Sequence, residues 1–221
     1  MKVSIIIPIY NRLYSALKLI DKLHKQIEEA GKSDQAQVIC INDGSTEELE
    51  CLPAIEELCT LYGFEYSKQK NIGGAATCNK GISKVKGDYF TFIDCDDDIV
   101  DEYIENIFSE LGDMEHLVAY KWYFKEPFEL GEWHDRPYVN WNVWSYLFRS
   151  DYFKQFRFDE NINVGWDYDF VHRSIGADPR IYIRYTPNKA LVIYDSKNPQ
   201  SITNRFHRGE IKARKEKDGN N

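Results

Sequence analysis

The sequence predicts an α/β fold in which a mostly parallel central sheet is flanked by helices. Two observations carry this prediction. Apolar, strand-like runs alternate with amphipathic helical segments between residues 3 and 93, and each run ends in a polar motif. Continuous apolar runs are typical of strands buried on both faces, as in parallel sheets covered by helices on both sides. With 43% hydrophobic residues among 221, the chain can bury one sizeable core.

Each element of this fold has its own signal. The run 3–9 is apolar and rich in β-branched residues, so it predicts a buried strand. Apolar residues from Leu13 to Ile27 then recur at helical spacing and predict a long helix that ends near Gly31. The same signals predict strands at 37–41, 64–68 and 88–93, and helices at 74–84 and at 47–61, the latter irregular at Pro53.

Polar motifs follow all four predicted strands. Ligands bind beyond the carboxyl ends of the strands in open sheets of this kind, so four such motifs predict one crevice. They are Tyr10-Asn11-Arg12, Asn42-Asp43-Gly44-Ser45, Asn71-Ile72-Gly73-Gly74 and Asp94-Cys95-Asp96-Asp97-Asp98. Gly73 and Gly74 permit close backbone approach at a helix start, where N–H groups favour anionic or polar ligands.

The last of these motifs carries four carboxylates within five residues. Like charges this close repel one another, and a divalent cation such as Mg²⁺ or Mn²⁺ that holds a phosphorylated ligand would relieve the repulsion. The alternative is a solvated turn whose aspartates cap the next helix. The tetrad alone leaves both interpretations open.

Bulk composition excludes several classes of protein. The net charge of -8 argues against attraction of the whole chain to nucleic acid or to an anionic membrane. Five cysteines at irregular spacing, without a C-x-x-C pair, argue against a disulfide framework and a zinc site, and for a reducing compartment. No segment approaches membrane-span length. We therefore expect a soluble, cytoplasmic protein without stable membrane insertion; its oligomeric state is left open.

The second half of the chain is rich in aromatic residues, and all five tryptophans lie between Trp122 and Trp166. For Trp122 and Tyr123 we expect packing in the core or on edge strands of a mixed sheet. For Trp144 and Trp166, which polar motifs flank, we expect a platform for a sugar or for another flat apolar surface.

In order along the chain, six motifs resemble those of the family 2 glycosyltransferases, which are nucleotide-sugar-dependent, inverting enzymes of the Rossmann-like GT-A fold. The resemblance covers about residues 3–201. The motifs are Val3-Ser4-Ile5-Ile6-Ile7-Pro8-Ile9-Tyr10-Asn11, Ile41-Asn42-Asp43-Gly44-Ser45-Thr46, Asn71-Ile72-Gly73-Gly74-Ala75-Ala76-Thr77-Cys78-Asn79-Lys80-Gly81, Asp94-Cys95-Asp96-Asp97, Asn142-Val143-Trp144-Ser145-Tyr146-Leu147-Phe148-Arg149 and Gly165-Trp166-Asp167-Tyr168-Asp169-Phe170. Each motif is weak alone, and the ordered set is specific.

The resemblance implies an activity and a domain plan. A sugar would move from a nucleotide diphosphate donor, first of all a UDP-sugar, to an acceptor hydroxyl with the help of Mn²⁺ or Mg²⁺. One GT-A domain would span 1–204, with a donor-binding half at 1–98, an acceptor-binding half at 99–204 and a basic tail at 205–221. The acceptor stays open among a glycan, a lipid-linked sugar, a protein and a modified base in DNA. The tail is either a solvated terminus or an anchor for an anionic acceptor.

The resemblance also assigns roles to single residues. Asp167 matches the catalytic base, with Asp169 as its rival, and Asp96 matches the metal ligand. His207 is a further candidate for the metal or a phosphate, or it is merely solvated. Asp97 and Asp98 would support the site or cap a helix. The implied nucleotide-sugar contacts are Pro8 and Tyr10 around the base, Asp43 at the base or ribose, Asp94 at the ribose or a metal-bound water, and Asn11, Asn71, Gly73, Asn79, Cys95, Asp96, Trp144, Trp166 and Ser201.

Two positions depart from the family's pattern. Cys78 stands where an arginine is frequent, which removes one nucleotide contact. Trp166 stands where a glutamate usually precedes the catalytic aspartate, so we expect a reshaped acceptor site.

Three other functions are weighed against this one. A phosphohydrolase of the haloacid-dehalogenase type also uses Asp-x-Asp after a strand, but it expects Thr or Val where Asp98 stands. A dinucleotide-dependent oxidoreductase is disfavoured because no G-x-G-x-x-G follows the first strand. A module that binds a nucleotide sugar without transferring it stays open.

Overall fold

The computed structural model describes residues 1–113, 115–126, 128–130 and 142–213. Its strands are β1 (Val3–Ile9), β2 (Ala36–Asn42), β3 (Glu65–Lys68), β4 (Tyr89–Phe92), β5 (Asp98–Ile99), β6 (Leu117–Phe124), β7 (Glu129–Leu130), β8 (Tyr146–Arg149) and β9 (Ile183–Tyr194). Its α-helices are α1 (Leu13–Glu29), α2 (Leu52–Leu61), α3 (Gly74–Lys84), α4 (Tyr103–Ser109), α5 (Ser150–Phe153), α6 (Trp166–Gly176) and α7 (Ile202–His207).

The described strands form one mixed sheet in the order β3-β2-β1-β4-β8-β6-β9-β5, with β7 paired to β6. The four strands of the first half are parallel, and β1 pairs with β2 along its whole length, from Val3 opposite Ala36 to Ile9 opposite Asn42. Strand β8 then joins β4 in the antiparallel direction. The predicted α/β class is confirmed, with parallel order dominant in the first half and mixed pairing in the second.

Side chains on the two faces of β1 show why the sheet is buried on both sides. Ile5 and Ile7 are fully buried in a cluster with residues of α1 and α2, such as Leu23. Ile6, between them, points to the opposite face and packs with Ile82 of α3. Successive strand residues alternate between faces, so only a continuous apolar run satisfies two helical layers at once.

The helix predicted at 47–61 differs from the observed segment. A short 3-10 turn covers Leu49–Cys51, and α2 begins afterwards, with Pro53 in its first turn. Proline lacks an N–H but suits the first turn of a helix, where that hydrogen is not needed for an intrahelical bond. The irregularity expected at Pro53 is therefore the start of the helix proper.

The acidic motif does not cap a helix, and that interpretation of Asp97 and Asp98 was wrong. Asp98 lies in strand β5, opposite Ile193 of β9. Its exposed carboxylate accepts a hydrogen bond from Lys22 of α1, with an Nζ–Oδ1 distance of 3.1 Å. Helix α4 begins only at Tyr103. Pairing with β9, which is 95 residues away along the chain, decides the conformation of this segment.

Several other expectations can be compared with the structure. All five cysteines are buried and free of disulfides. Across the described ranges, no helix combines the length and apolarity needed to cross a bilayer. Helix α7 runs across the expected boundary between 204 and 205. Trp133, Trp141 and the basic residues Arg214, Lys215 and Lys217 lie outside the described residues.

Candidate active site

The four predicted motifs meet at one cavity of about 700 Å³ beside the carboxyl ends of the parallel strands. Its remaining wall comes from Trp144, the segment 160–167 and the segment 194–205. Thirteen of the predicted site residues line it: Pro8, Tyr10, Asn11, Asp43, Asn71, Gly73, Asp94, Cys95, Asp96, Trp144, Trp166, Asp167 and Ser201. Asn79 and His207 are absent from this lining.

Asp43 organises the loop that follows β3. Its buried carboxylate accepts hydrogen bonds from the side chain of Gln69 and from the backbone N–H groups of Ile72 and Gly73, each at 2.9 Å. Beside it, Gly44 has φ +70, and a Cβ there would lie 2.6 Å from the backbone nitrogen of Asn71. Only glycine permits this approach. Asp43 therefore holds the loop after β3, and these three hydrogen bonds use most of the acceptor capacity of its carboxylate.

Three carboxylates of the acidic motif lie together at the cavity. Burial, followed by the charges of Asp96 and Asp167, raises the pKa of Asp94 to about 7. Burial also raises the pKa of Asp96, although the charge of Arg12 and a hydrogen bond from Asn198 at 2.7 Å oppose that shift. The pKa of buried Asp97 is raised as well, by burial and then by Asp94 and Asp96. Burial is the main reason that each of these groups resists ionisation, and neighbouring carboxylates add to the effect.

These carboxylates suit a divalent cation for which the protein would supply only some of the ligands. Clustered oxygen ligands with raised pKa values favour a hard cation, which would stabilise their charged forms. In the described part of the chain, no three His, Cys, Asp or Glu side chains form a group that could hold a metal ion by themselves. Mg²⁺ and similar ions commonly take one or two carboxylates and complete their shell with water and substrate phosphates.

His207 does not line the cavity, and its assignment as a metal ligand stays a prediction. Ser201, at the rim, caps α7 by accepting a hydrogen bond from the Asn204 N–H at 3.2 Å. The helix then continues for six residues, about 9 Å at 1.5 Å per residue, before the exposed His207. The orientation of α7, which the sequence does not reveal, decides this outcome.

Asp167 lies at the start of α6, where Gly165 adopts φ +77 and precedes the first turn. Burial raises the pKa of its carboxyl group to about 6, although a hydrogen bond from the Tyr168 N–H at 2.9 Å opposes that shift. Asp169 is different: it forms an ion pair with Arg173 at 2.6 Å and does not line the cavity. Of the two candidate bases, only Asp167 faces the acidic cluster.

The two tryptophans differ in how much surface they offer. Trp144 is 3% exposed, and its indole packs edge-on against Trp122 with ring centroids 5.7 Å apart. Trp166 is half-buried, and its ring lies over the backbone at Gly74, where a Cβ would be 3.3 Å from the indole. Both line the cavity. Trp166 therefore presents more of its face to a ligand than Trp144 does.

Asn79 holds the segment at Phe158 instead of lining the cavity. Its side-chain oxygen accepts from the Phe158 N–H at 2.8 Å, and its Nδ2 donates to the Phe158 carbonyl at 3.0 Å. The same Nδ2 lies 2.9 Å from Oε1 of Glu160, which does line the cavity. The amide thus fixes a segment 79 residues away in sequence.

Replacing Asn79 with alanine should destabilise the protein by on the order of 2–3 kcal/mol, because buried backbone groups of Phe158 lose their partners. Urea unfolding followed by tryptophan fluorescence would measure the change. Ser83→Ala on the same helix is the matched control, since the exposed Ser83 hydroxyl bonds only to the nearby Lys80 carbonyl. Equal midpoints for the two variants would contradict the assignment.

The cavity is also lined by residues that were not among the predicted contacts, including Arg12, Glu160, Tyr194 and Asn198. Arg12 belongs to the motif that follows the first strand, so its position at the cavity could have been predicted from the sequence. Tyr194 ends the long strand β9 and Asn198 follows it, and nothing local in the sequence shows that this segment returns to the acidic motif. There, the backbone N–H of Asp195 donates to Asp97 at 3.3 Å.

The segment after β9 also contains the described part of the basic tail. Arg208 and Arg205 both pair with Glu210, at 2.6 and 3.5 Å. Asn163, on the opposite wall of the cavity, donates a hydrogen bond to the Lys212 carbonyl at 2.9 Å. The first part of the tail is thus tied to the cavity rim.

A sequence model of the family described as Glycosyl transferase family 2 matches residues 4–174, which include the acidic motif and Asp167. The chain belongs to this family. Direct sequence comparison also finds relatives of this chain. "Glycosyltransferase GlyA" of Streptococcus pneumoniae is 24% identical over 70% of this chain and 23% of its own length. "Minor teichoic acid biosynthesis protein GgaB" of Bacillus subtilis is 26% identical over 76% of this chain and 20% of its own length.

Solved structures support the same fold. TarS 1–349 of S. aureus, crystallised with UDP-GlcNAc, superposes with a TM-score of 0.75 at 19% identity, over 89% of this chain and 59% of that one. The mannosyltransferase PcManGT of Pyrobaculum calidifontis, in complex with GDP-Man and Mn²⁺, gives 0.68 at 13% identity, over 95% and 61%. These similarities establish the GT-A fold for the family 2 chain, which spans about a fifth to a quarter of the length of the two relatives named above.

Proposed function

We propose that this family 2 protein transfers a sugar from a nucleoside diphosphate donor, first of all a UDP-sugar, to an acceptor hydroxyl with inversion at the anomeric carbon. One observation carries the proposal. Asp167, whose pKa is raised to about 6, lies near enough to the acidic cluster for its charge to raise the pKa of Asp94. A base and a donor-activating group thus share one cavity.

The residues divide the work as follows. The loops with Pro8 and Tyr10 would bind the nucleoside, and Gly73, at the start of α3, would let a backbone N–H approach a polar group of the donor. Asp96, with Asp94 beside it, would hold a divalent cation, Mn²⁺ or Mg²⁺. When bound, that cation neutralises charge on the departing diphosphate as a Lewis acid. The donors of TarS and PcManGT, and the Mn²⁺ of the latter, support this choice.

Asp167 would act as the general base. Its carboxylate accepts the proton of the acceptor hydroxyl while that oxygen bonds to the anomeric carbon. The bond from this carbon to the phosphate oxygen breaks, and its electron pair leaves with the nucleoside diphosphate. A single displacement inverts the anomeric centre, by the same logic that makes single-displacement glycosidases inverting. Trp166 would cover the sugar ring, and the acceptor stays open among a glycan, a lipid-linked sugar, a protein and a modified DNA base.

A donor screen tests the proposal directly. The protein would be incubated with Mn²⁺ and a panel of UDP- and GDP-sugars, with and without pooled acceptors, and release of UDP or GDP would be followed by chromatography. The expected result is nucleotide release that increases with one acceptor class. Release of inorganic phosphate from sugar phosphates would instead favour a phosphohydrolase, and tight nucleotide binding without any release would favour a non-catalytic module.

The turnover rate should fall as the pH drops below about 6, because a base works only in its deprotonated form and the pKa of Asp167 is raised to about 6. The decline should approach tenfold per pH unit at saturating donor and acceptor. The charge of Asp167 also contributes to the raised pKa values of Asp94, Cys78 and Tyr194. Donor affinity measured at each pH separates their influence on binding from the loss of the base. A turnover rate that stays level down to pH 4.5 would contradict the role of Asp167.

A further inference from the structure

The loop between β1 and α1 has an unusual backbone. Asn11 and Arg12 are consecutive non-glycine residues in the left-handed region, with φ of 56 and 54. Asparagine tolerates this conformation, but arginine adopts it rarely and needs surroundings that hold it there. Here Asn11 is held on both sides: its N–H donates to Ser45 Oγ at 2.8 Å, and its side-chain oxygen accepts from the Thr46 N–H at 2.8 Å. The strain fixes where the next side chain, Arg12, leaves the backbone.

Arg12 is directed at the acidic cluster. Its Nη2 lies 3.4 Å from Oδ1 of Asn198, and Nδ2 of Asn198 donates to Asp96 at 2.7 Å. The arginine charge also lowers the pKa of Asp96, which places the two groups close together. Asn198 lies beyond residue 174, where the family match ends, so the bridge joins the family's first motif to a segment outside its pattern.

The cavity is strongly acidic. Its described lining contains two arginines, Arg12 and Arg205, against eight carboxylates: Asp43, Glu47, Asp94, Asp96, Asp97, Glu160, Asp167 and Asp195. Arg205 is already paired with Glu210. No carboxylate of the described residues forms an ion pair with Arg12. A guanidinium presents five N–H donors in a fixed fork that matches phosphate oxygens, and one of them reaches Asn198.

We propose that Arg12 binds the phosphate groups of the nucleoside diphosphate donor, and that Asn198 is the positioning residue that holds its guanidinium beside Asp96. The inference rests on the proposed function, because it assigns a further contact for the same donor. Arg12 supplies a fixed positive charge from the protein, next to the carboxylates that would hold the cation. The strained backbone at residues 11 and 12 keeps that charge in place before the donor arrives.

The test compares a nucleoside diphosphate with its nucleoside. Binding of UDP and of uridine, and of GDP and guanosine, would be measured by calorimetry in the presence of Mn²⁺. Arg12→Gln should weaken binding of the preferred diphosphate by about tenfold or more, because a charge-assisted bidentate contact is lost. Its affinity for the nucleoside should change less than about twofold. Arg12→Lys should give an intermediate loss, since it keeps the charge without the fork.

Two further variants sharpen the result. Asn198→Ala should weaken binding of the diphosphate by about threefold and leave binding of the nucleoside unchanged, because the guanidinium of Arg12 loses its hydrogen-bond partner. Lys18→Gln, an exposed position on α1, is the matched charge control and should bind like the wild type. The inference is overturned if Arg12→Gln loses no more affinity for the diphosphate than for the nucleoside. A wild-type protein that binds neither diphosphate would overturn the proposed function instead.

Discussion

Asp167→Asn is expected to reduce glycosyl transfer by about 10²- to 10⁴-fold, the range typical of removing a general base. Asparagine has nearly the same shape as aspartate, so α6 should still begin at residue 166, but an amide cannot accept the proton of the acceptor hydroxyl. In energy terms the loss is about 3–5 kcal/mol of transition-state stabilisation. Initial rates with saturating donor and acceptor would measure it, together with UDP affinity, which should stay within about threefold of wild type.

Asp169→Asn is the matched control for this experiment. It removes the same charge two residues along the same helix, but its carboxylate pairs with Arg173 outside the cavity. An exposed or half-exposed ion pair of this kind contributes at most about 1 kcal/mol to stability, so activity should stay close to that of the wild type. If Asp169→Asn were the inactive variant and Asp167→Asn the active one, the assignment of the base would have to be reversed.

Asp96→Ala should remove the dependence of UDP binding on metal. With Mn²⁺ present, the affinity for UDP should drop by about 100-fold, at the upper end of the losses seen when even indirect partners of a metal are removed. The variant should remain folded, because Asp96 is half-buried at a cavity wall and its loss relieves repulsion from Asp94. Calorimetric titrations with Mn²⁺ and with EDTA would measure both affinities.

Asp98→Ala provides the comparison within the same motif. Asp98 is exposed, lies in β5 and contacts Lys22, so its loss should leave metal-dependent binding unchanged. The prediction for Asp96 fails if its variant responds to EDTA as strongly as the wild type does. The pair also separates a specific ligand from a general effect of lowering the negative charge.

Elements set by local signals were predictable from the sequence. The bounds of α3, 74–84, follow from Gly73 and the apolar spacing after it, and β1 follows from an uninterrupted apolar run. The convergence of four strand ends on one crevice follows from the geometry of parallel sheets. These features depend on the spacing of apolar residues and on the general geometry of parallel sheets. Both can be inferred from a single sequence.

Features set by distant contacts were not predictable in this way. Asn79 was expected to touch the nucleotide, but its amide bonds to Phe158, and nothing near residue 79 indicates that partner. Asp98 pairs with β9, and His207 is carried away from the cavity by the direction of α7. In each case the residue type suits several roles, and packing between remote segments selects one of them.

The clustered carboxylates also affect the stability of the folded protein. Because the pKa values of Asp94 and Asp167 are raised, to about 7 and about 6, the folded state binds more protons than the unfolded chain between about pH 4 and 7. The free energy of unfolding therefore falls as the pH rises through that window, and at neutral pH these groups oppose folding. A ligand that binds only the folded state restores the loss by mass action. The proposed nucleotide-sugar donor would then stabilise the folded protein as well as serve as its substrate.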